Sequence, residues 1–418
     1  MTDAARAVAD AHRREWALVL AATVRVARDL DLAEECVQEA YAAALTAWAR
    51  DGTPANPAAW LTTTARRRAM DAMRREATFR SRLPLLVEPA ETGYEPATDP
   101  PPEQTDAVPD ERLRLVFTCC HPALAPEARL ALTLRLVCGL PTADVARALL
   151  VSEQTMAARI TRAKKKIATA RIPYRVPRPA ELPDRLPAVL GVVHLLYTAG
   201  HTAPSGPTLL RTDAADRALH LARTLRALMP DEPEVGGLLA LLLATDARRA
   251  TRTGPDGGLL RLEDQDRSRW DRAALAEAHE LIVAGLRAGR PGRYTLQAAI
   301  AALYAEAPTY DETDWQQLVT LYDRLLAVWP SPVVALNRTV PVSMASGPAV
   351  ALALVDELAA DPRLARYPYL PAVRADLLRR LDRPAEAALA YRDALARTDN
   401  DAERGFLAAR LAEVDIEP

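Results

Sequence analysis

Two stretches of this sequence gather cationic side chains in settings suited to nucleic acid. The first runs Asn56-Pro57-Ala58-Ala59-Trp60-Leu61-Thr62-Thr63-Thr64 and continues into Ala65-Arg66-Arg67-Arg68-Ala69-Met70-Asp71-Ala72-Met73-Arg74-Arg75. Such a mixture fits melted DNA, because arginines hold phosphates while polar side chains and loop backbone bond the edges of unstacked bases. Asn56, Thr62, Thr63, Arg66, Arg67, Arg74 and Arg75 are the candidates for that contact. Trp60 and Trp48 share helical spacing with Leu45, Leu61 and Ala65, which favours a packing role for both rings.

The second stretch is Leu140-Pro141-Thr142-Ala143-Asp144-Val145-Ala146-Arg147-Ala148-Leu149-Leu150-Val151-Ser152 and the basic segment that follows it. It reads as a helix beginning near Thr142, a tight turn, and a new helix that Ser152 can N-cap. On that second helix Met156, Ile160, Ala163 and Ile167 form a stripe to be buried, while Thr155, Arg159, Arg162 and Lys166 hold another face. Beyond Glu153 the helix carries no acid, and Arg159, Arg162, Lys164, Lys165, Lys166 and Arg171 can neutralise phosphates. The pattern is that of a helix-turn-helix with its recognition helix. A solvated basic helix in an ordinary bundle would not need the turn and the cap.

Upstream of both, Asp29, Asp31, Glu34, Glu35 and Glu39 surround Leu32, Cys36, Val37 and Tyr41. An acidic, partly apolar face of this kind suits a positively charged protein partner. Nothing comparable points to catalysis: there is no GxGxxG, no phosphate-binding Walker sequence and no convergent nucleophile or acid pair, so the chain is expected not to be an enzyme and to need no cofactor. Cys119, Cys120 and His121 sit side by side, but adjacent residues on a helix do not converge on a metal, so structural roles are expected for them.

The elements that must position these groups follow from composition and punctuation. Half of the 418 residues are apolar, and Ala, Leu and Arg dominate over 3 Phe and 16 Gly, which favours an all-α fold. A chain of this length exceeds what one core organises. Its 53 Lys and Arg against 55 Asp and Glu give a net charge of -2, so only the distribution of charge speaks for nucleic acid. Four cysteines without a CxxC pair make a disulfide framework improbable. The polar N-terminus and the lack of an apolar run of roughly 18 residues lead to the expectation of a cytoplasmic protein.

Helical patterning from His12 to about Arg75, broken at Asp51-Gly52-Thr53-Pro54, makes residues 1–77 a small helical domain. Residues 78–109 are Pro-rich and acidic, with too few apolar side chains for a core, and read as a flexible linker. Residues 110–172 carry the helix-turn-helix. After Pro173, Pro177, Pro179 and Pro183, residues 173–418 are a succession of short amphipathic helices, as in paired helices stacked into a solenoid. Ala375, Leu378, Ala387, Tyr391 and Ala394 fall where a tetratricopeptide unit places its helix contacts.

The order Asp31-Leu32-Ala33-Glu34-Glu35-Cys36-Val37-Gln38-Glu39-Ala40-Tyr41, then Pro57-Ala58-Ala59-Trp60-Leu61, then basic helix, linker and helix-turn-helix resembles extracytoplasmic-function sigma factors of the sigma-70 family. Val116-Phe117-Thr118-Cys119-Cys120-His121-Pro122-Ala123-Leu124 and the long C-terminal part resemble a subgroup that adds a tetratricopeptide-like domain, and Leu262-Glu263-Asp264-Gln265-Asp266-Arg267-Ser268-Arg269-Trp270-Asp271 matches a motif of that subgroup. Acids, arginines and Trp at that density suit a buried ion-pair junction or a docking surface, and the structural junction is the favoured reading of the two. His194-Leu195-Leu196-Tyr197-Thr198-Ala199-Gly200-His201 stands where relatives tend to carry Asn-Glu-Gly-Tyr, so Thr198, Ala199 and His201 depart from the pattern.

The resemblance implies that Asp31, Glu34, Glu35, Gln38 and Glu39 bind the clamp helices of the RNA polymerase β′ subunit. It further implies that the Asn56 to Arg75 stretch melts and reads the minus-10 element, and that Thr142 to Lys166, with Ser152 and Thr155, reads the minus-35 element. The expected partners are core polymerase and promoter DNA, with an accessory protein for the C-terminal domain and no membrane. An operator-binding regulator would share the recognition helix but has no need for the acidic face coupled to a segment for single strands. A scaffold built on the repeats would need neither basic helix.

Overall fold

The computed structural model describes residues 2–82, 111–149 and 151–415, which group into two compact units, 1–192 and 193–418. The described residues are helical, with no strand and only two isolated bridges, Gly206 to Asn400 and Thr253 to Leu259.

The first unit opens with three long helices, α1 (Asp3–Ala27), α2 (Leu30–Asp51) and α3 (Pro57–Arg82), each packed on the other two. Their boundaries follow local chemistry. Thr2 caps α1, and Arg28 ends it at φ 53. The Asp29 carboxylate accepts from Leu32 N at 2.8 Å to start α2, and Gly52 closes that helix with φ 85, a conformation that glycine adopts without steric cost. Asn56 Oδ1 accepts from Ala59 N at 3.0 Å, and Pro57 supplies the first residue of α3. That helix runs on to Arg82; most of the expected linker lies outside the described residues.

Next come α4 (Glu111–Cys119), α5 (Pro126–Leu132), α6 (Thr142–Ala148) and α7 (Glu153–Thr169). A π-helical turn, Thr133–Val137, continues α5, and the turn at Gly139 takes φ 66. Leu113, Leu115, Val116, Phe117, Leu132 and Met156 are almost wholly enclosed and form the core beneath α7. The division between the units falls within α8 (Leu182–His201).

Among its described residues the second unit holds the end of α8 and ten further α-helices: α9 (Thr212–Leu228), α10 (Pro233–Asp246), α11 (Arg272–Arg287), α12 (Arg293–Glu306), α13 (Trp315–Val328), α14 (Pro332–Ala345), α15 (Pro348–Leu358), α16 (Tyr369–Arg380), α17 (Pro384–Ala396) and α18 (Asp401–Val414). From α9 on, each packs on its neighbour in the chain, as stacked helical hairpins do. Ala375, Leu378, Ala387, Tyr391 and Ala394 are all buried where α16 meets α17. Small residues there let the two backbones approach. Unlike an open solenoid, this unit ties its ends together. The buried Asn400 caps α18 through Oδ1, and its amide donates to Ala203 O at 3.1 Å and Thr208 O at 2.9 Å.

Candidate functional site

The candidate groups lie on three helices of the first unit. On α2, Leu30, Ala33, Cys36, Val37, Ala40, Tyr41 and Trp48 face the bundle, so the intervening Asp31, Glu35, Gln38 and Glu39 are exposed. Glu39 Oε2 accepts from Arg68 Nη1 at 2.6 Å, linking the acidic face to α3. Glu34 departs from the pattern: it is 7% exposed, with Oε1 accepting from Arg135 Nη2 and Oε2 from Lys164 Nζ, each at 2.5 Å.

On α3, Leu61, Ala65 and Ala69 are fully enclosed, which turns Thr63, Arg66, Arg67, Arg74 and Arg75 to solvent and leaves Thr62 partly covered. An open groove of about 400 Å³ is lined by Asn56, Ala59, Thr62 and Thr63 of this segment and by Leu18 and Ala22 of α1. Three separately named polar candidates therefore share one concave surface, with an apolar wall opposite. Trp48 is buried and meets the partly buried Trp60 edge to face, centroids 5.8 Å apart, so both rings pack.

On α7 the stripe Met156, Ile160, Ala163 and Ile167 is buried. Ser152 Oγ accepts from Thr155 N at 3.2 Å and meets Thr155 Oγ1 at 2.8 Å, so both hydroxyls help to start the helix while staying exposed. Arg162, Lys165 and Lys166 are exposed and Arg159 is half-buried. Arg159, Arg162 and Lys166 line a groove of about 290 Å³ against α5, where Glu127 also contributes. Lys164 points elsewhere. Its ammonium bonds Glu34 and, at 2.9 Å, Asp31 Oδ1, away from the outward cationic face. Burial draws its pKa down, but the two carboxylates outweigh that and leave it raised.

The neighbouring cysteines carry no chemistry in this setting. Burial pushes the Cys119 thiol well up and that of Cys120 to about 12, which keeps both protonated. His121 Nδ1 accepts from Ala123 N at 3.1 Å and so shapes the turn before α5. Among the described residues no three His, Cys, Asp or Glu side chains stand together as metal ligands, and no helix is long and apolar enough to cross a membrane.

Three family models match this chain: sigma-70 region 2 over residues 9–79, sigma-70 region 4 over 114–167, and a family of unknown function (DUF6596) over 185–285. The helix with the acidic face and the groove above α3 lie in the first match, and the helix-turn-helix in the second. The chain is also 41% identical over 404 residues to an uncharacterized protein of Rhizobium meliloti (strain 1021), covering 96% of this chain and 94% of the relative. The chain belongs to the sigma-70 family. It is a sigma factor of the extracytoplasmic-function type with an added C-terminal helical region, and its regions 2 and 4 serve promoter recognition in transcription initiation.

In this sigma factor the motif at residues 262–271 builds a junction in the second unit. Arg267 Nη1 donates to Tyr304 O at 2.9 Å and Ala307 O at 2.7 Å, closing the end of α12, and its guanidinium lies 4.7 Å from the Trp270 centroid. Trp270 Nε1 donates to Thr251 Oγ1 at 2.9 Å, and Asp271 caps α11. Thr198, Ala199 and His201 of this sigma factor lie on α8, where Tyr197 OH donates to Asp246 Oδ1 at 3.2 Å and stacks on His201. Sequence patterning missed two features of this factor: the inward turn of Lys164 and the partnership of Glu34 with Arg135. Both depend on residues more than a hundred positions apart.

Proposed function

We propose that this sigma factor binds the β′ clamp helices of core polymerase through Asp31, Glu34, Glu35, Gln38 and Glu39, an acidic face that would meet a basic partner. Asn56, Thr62 and Thr63 take the edges of melted minus-10 bases, while Arg66, Arg67, Arg74 and Arg75 hold the flanking phosphates. Ser152, Thr155, Arg159, Arg162, Lys164, Lys165 and Lys166 engage the minus-35 duplex. The polymerase performs the chemistry. Residues 173–418 act as a tetratricopeptide-like regulatory domain that receives an accessory protein, and the factor works in the cytoplasm.

The observation that carries this reading is the groove shared by Asn56, Thr62 and Thr63, with the arginines of the same helix beyond it. A regulator that reads only duplex operators has no use for it. Run-off transcription with purified core polymerase and a promoter library tests the proposal. The full chain should yield promoter-specific transcripts. Arg159→Ala should cut promoter affinity by about tenfold, with core binding unchanged; charge reversal at Glu35 should do the opposite. Transcripts lost together with core binding in the Arg159 variant would overturn the assignment of roles.

A further inference from the structure

The junction at Trp270 in the second unit gathers arginines that its acids do not neutralise. Arg248 and Arg252 flank a 3-10 turn, Arg249–Thr251, just past the end of α10. The guanidiniums of Arg248 and Arg267 lie 5.9 and 4.7 Å from the Trp270 centroid. Arg249, between the first two, is fully paired: Nε donates to Asp246 Oδ1 at 2.8 Å and Nη1 to Asp216 Oδ1 at 2.7 Å. Among the described residues the other three find neutral acceptors or none. Arg252 donates to His201 O and Thr202 Oγ1, and Arg267 to the carbonyls of Tyr304 and Ala307. Arg248 Nε and Arg267 Nη2 are sealed from solvent without an acceptor. Glu403, the carboxylate whose charge reaches Arg252, already accepts from Tyr369 OH at 2.6 Å. Burial, and with it the charge of Arg267, holds Arg248 below the ordinary arginine range, and burial with Arg248 brings Arg252 down to about 10. All three side chains are nonetheless only half-buried, so the cluster can be reached from outside.

We propose that Arg248, Arg252 and Arg267 form a binding site for the phosphate group of a small molecule, with the Tyr197 and Tyr304 phenols beside Arg248. A covered guanidinium without an acceptor is costly, and an oxyanion supplies both the missing charge and the missing lone pairs. Phosphate suits the cluster better than carboxylate. Its tetrahedral oxygens take donors from separate elements, here the turn at 249–251 and the loop before Trp270, whereas a planar carboxylate is filled by one guanidinium fork. Its dianion also answers more than one cation. The sealed Nε and Nη2 atoms admit a small ligand rather than a protein chain. The site belongs to the C-terminal region and stands whether or not the polymerase assignments hold. It gives that region a small-molecule input, distinct from the accessory protein proposed for it.

Hydrogen exchange of the full chain, read by mass spectrometry in sodium phosphate and in sodium chloride of equal ionic strength and pH, tests the site. Phosphate should slow exchange at least about threefold in peptides covering residues 246–272, because a ligand that binds only the folded form opposes local opening. Arg248→Met should abolish that protection and leave any response of the basic helices α3 and α7 unchanged. No protection at 246–272, or protection that survives Arg248→Met, overturns the proposal. Sodium succinate should protect these peptides less than phosphate does, and equal protection defeats the choice of phosphate. A purely structural role for Arg248 is read from the melting of the same variant. Without phosphate, Arg248→Met should keep or raise the Tm, since an apolar side chain of similar length replaces an uncompensated cation. A lowered Tm makes Arg248 a support of the fold and removes the case for a ligand.

Discussion

Helical spacing predicts which side a residue faces, and at most candidate positions the side chain follows it. Asp31, Glu35, Gln38 and Glu39 face water, and Met156, Ile160, Ala163 and Ile167 face the core. Glu34 and Lys164 do not follow the rule for charged residues, since each is covered by a partner remote in sequence. The same spacing that buries Met156 makes it a strong stability determinant of the recognition helix. Met156→Ala, at a site with 0% exposure, should destabilise the first unit by about 2–5 kcal/mol, as other buried large-to-small changes do. A denaturant midpoint unchanged from the wild type would show that the stripe does not carry the packing.

At the scale of elements, caps and breakers placed the boundaries. Asp29, Gly52, Asn56 and Ser152 stand where the chain starts or stops its helices, because each supplies an acceptor or a backbone conformation that the helix end requires. The approach of α8 to the start of α9 is a different matter. A Cβ on Gly200 would lie 2.5 Å from Ala215 N and 2.9 Å from Arg211 O, while Gly200 O accepts from Arg211 N at 2.7 Å. No pattern around Gly200 announces this. Gly200→Ala should therefore cost about 1–3 kcal/mol, read as a lowered Tm of the full chain, because backbone rather than a flexible side chain must move. The π-helical turn at Thr133–Val137 was equally hidden, although it carries Arg135 to Glu34.

At the scale of the whole molecule, each unit has its own source of stability. In the second, burial and the nearby Arg293 hold His194 at about 4 against an ordinary 6.5, with the ring edge-on to Tyr294. Burial, with Arg252, Arg248 and Arg249 around it, pulls His201 down in the same direction. The unfolded chain thus takes up these protons first. The contribution of these two histidines is fully present above about 6.5 and is lost as pH falls toward 4. Thermal melts should show a lower Tm at pH 5 than at pH 7.5, and His194→Gln should flatten part of that dependence. A slope unchanged by the substitution would assign the effect to other groups.

The sequence by itself determined the helical class, the principal helix starts, the recognition helix with its buried stripe, and the kinship with sigma factors. The first three rest on spacing, capping and residue type within one helix or turn, and the kinship rests on the order of such motifs along the chain. Only the tertiary structure decided that Lys164 and Arg135 enclose Glu34, that Asn56, Thr62 and Thr63 share a groove with Leu18 and Ala22, and that Asn400 ties α18 to the loop at Ala203 and Thr208. The physical reason is common to all three. A local pattern fixes the side of a helix on which a group emerges, whereas its partner is fixed by how distant helices pack, and the net cost or gain of a buried charge depends on that partner.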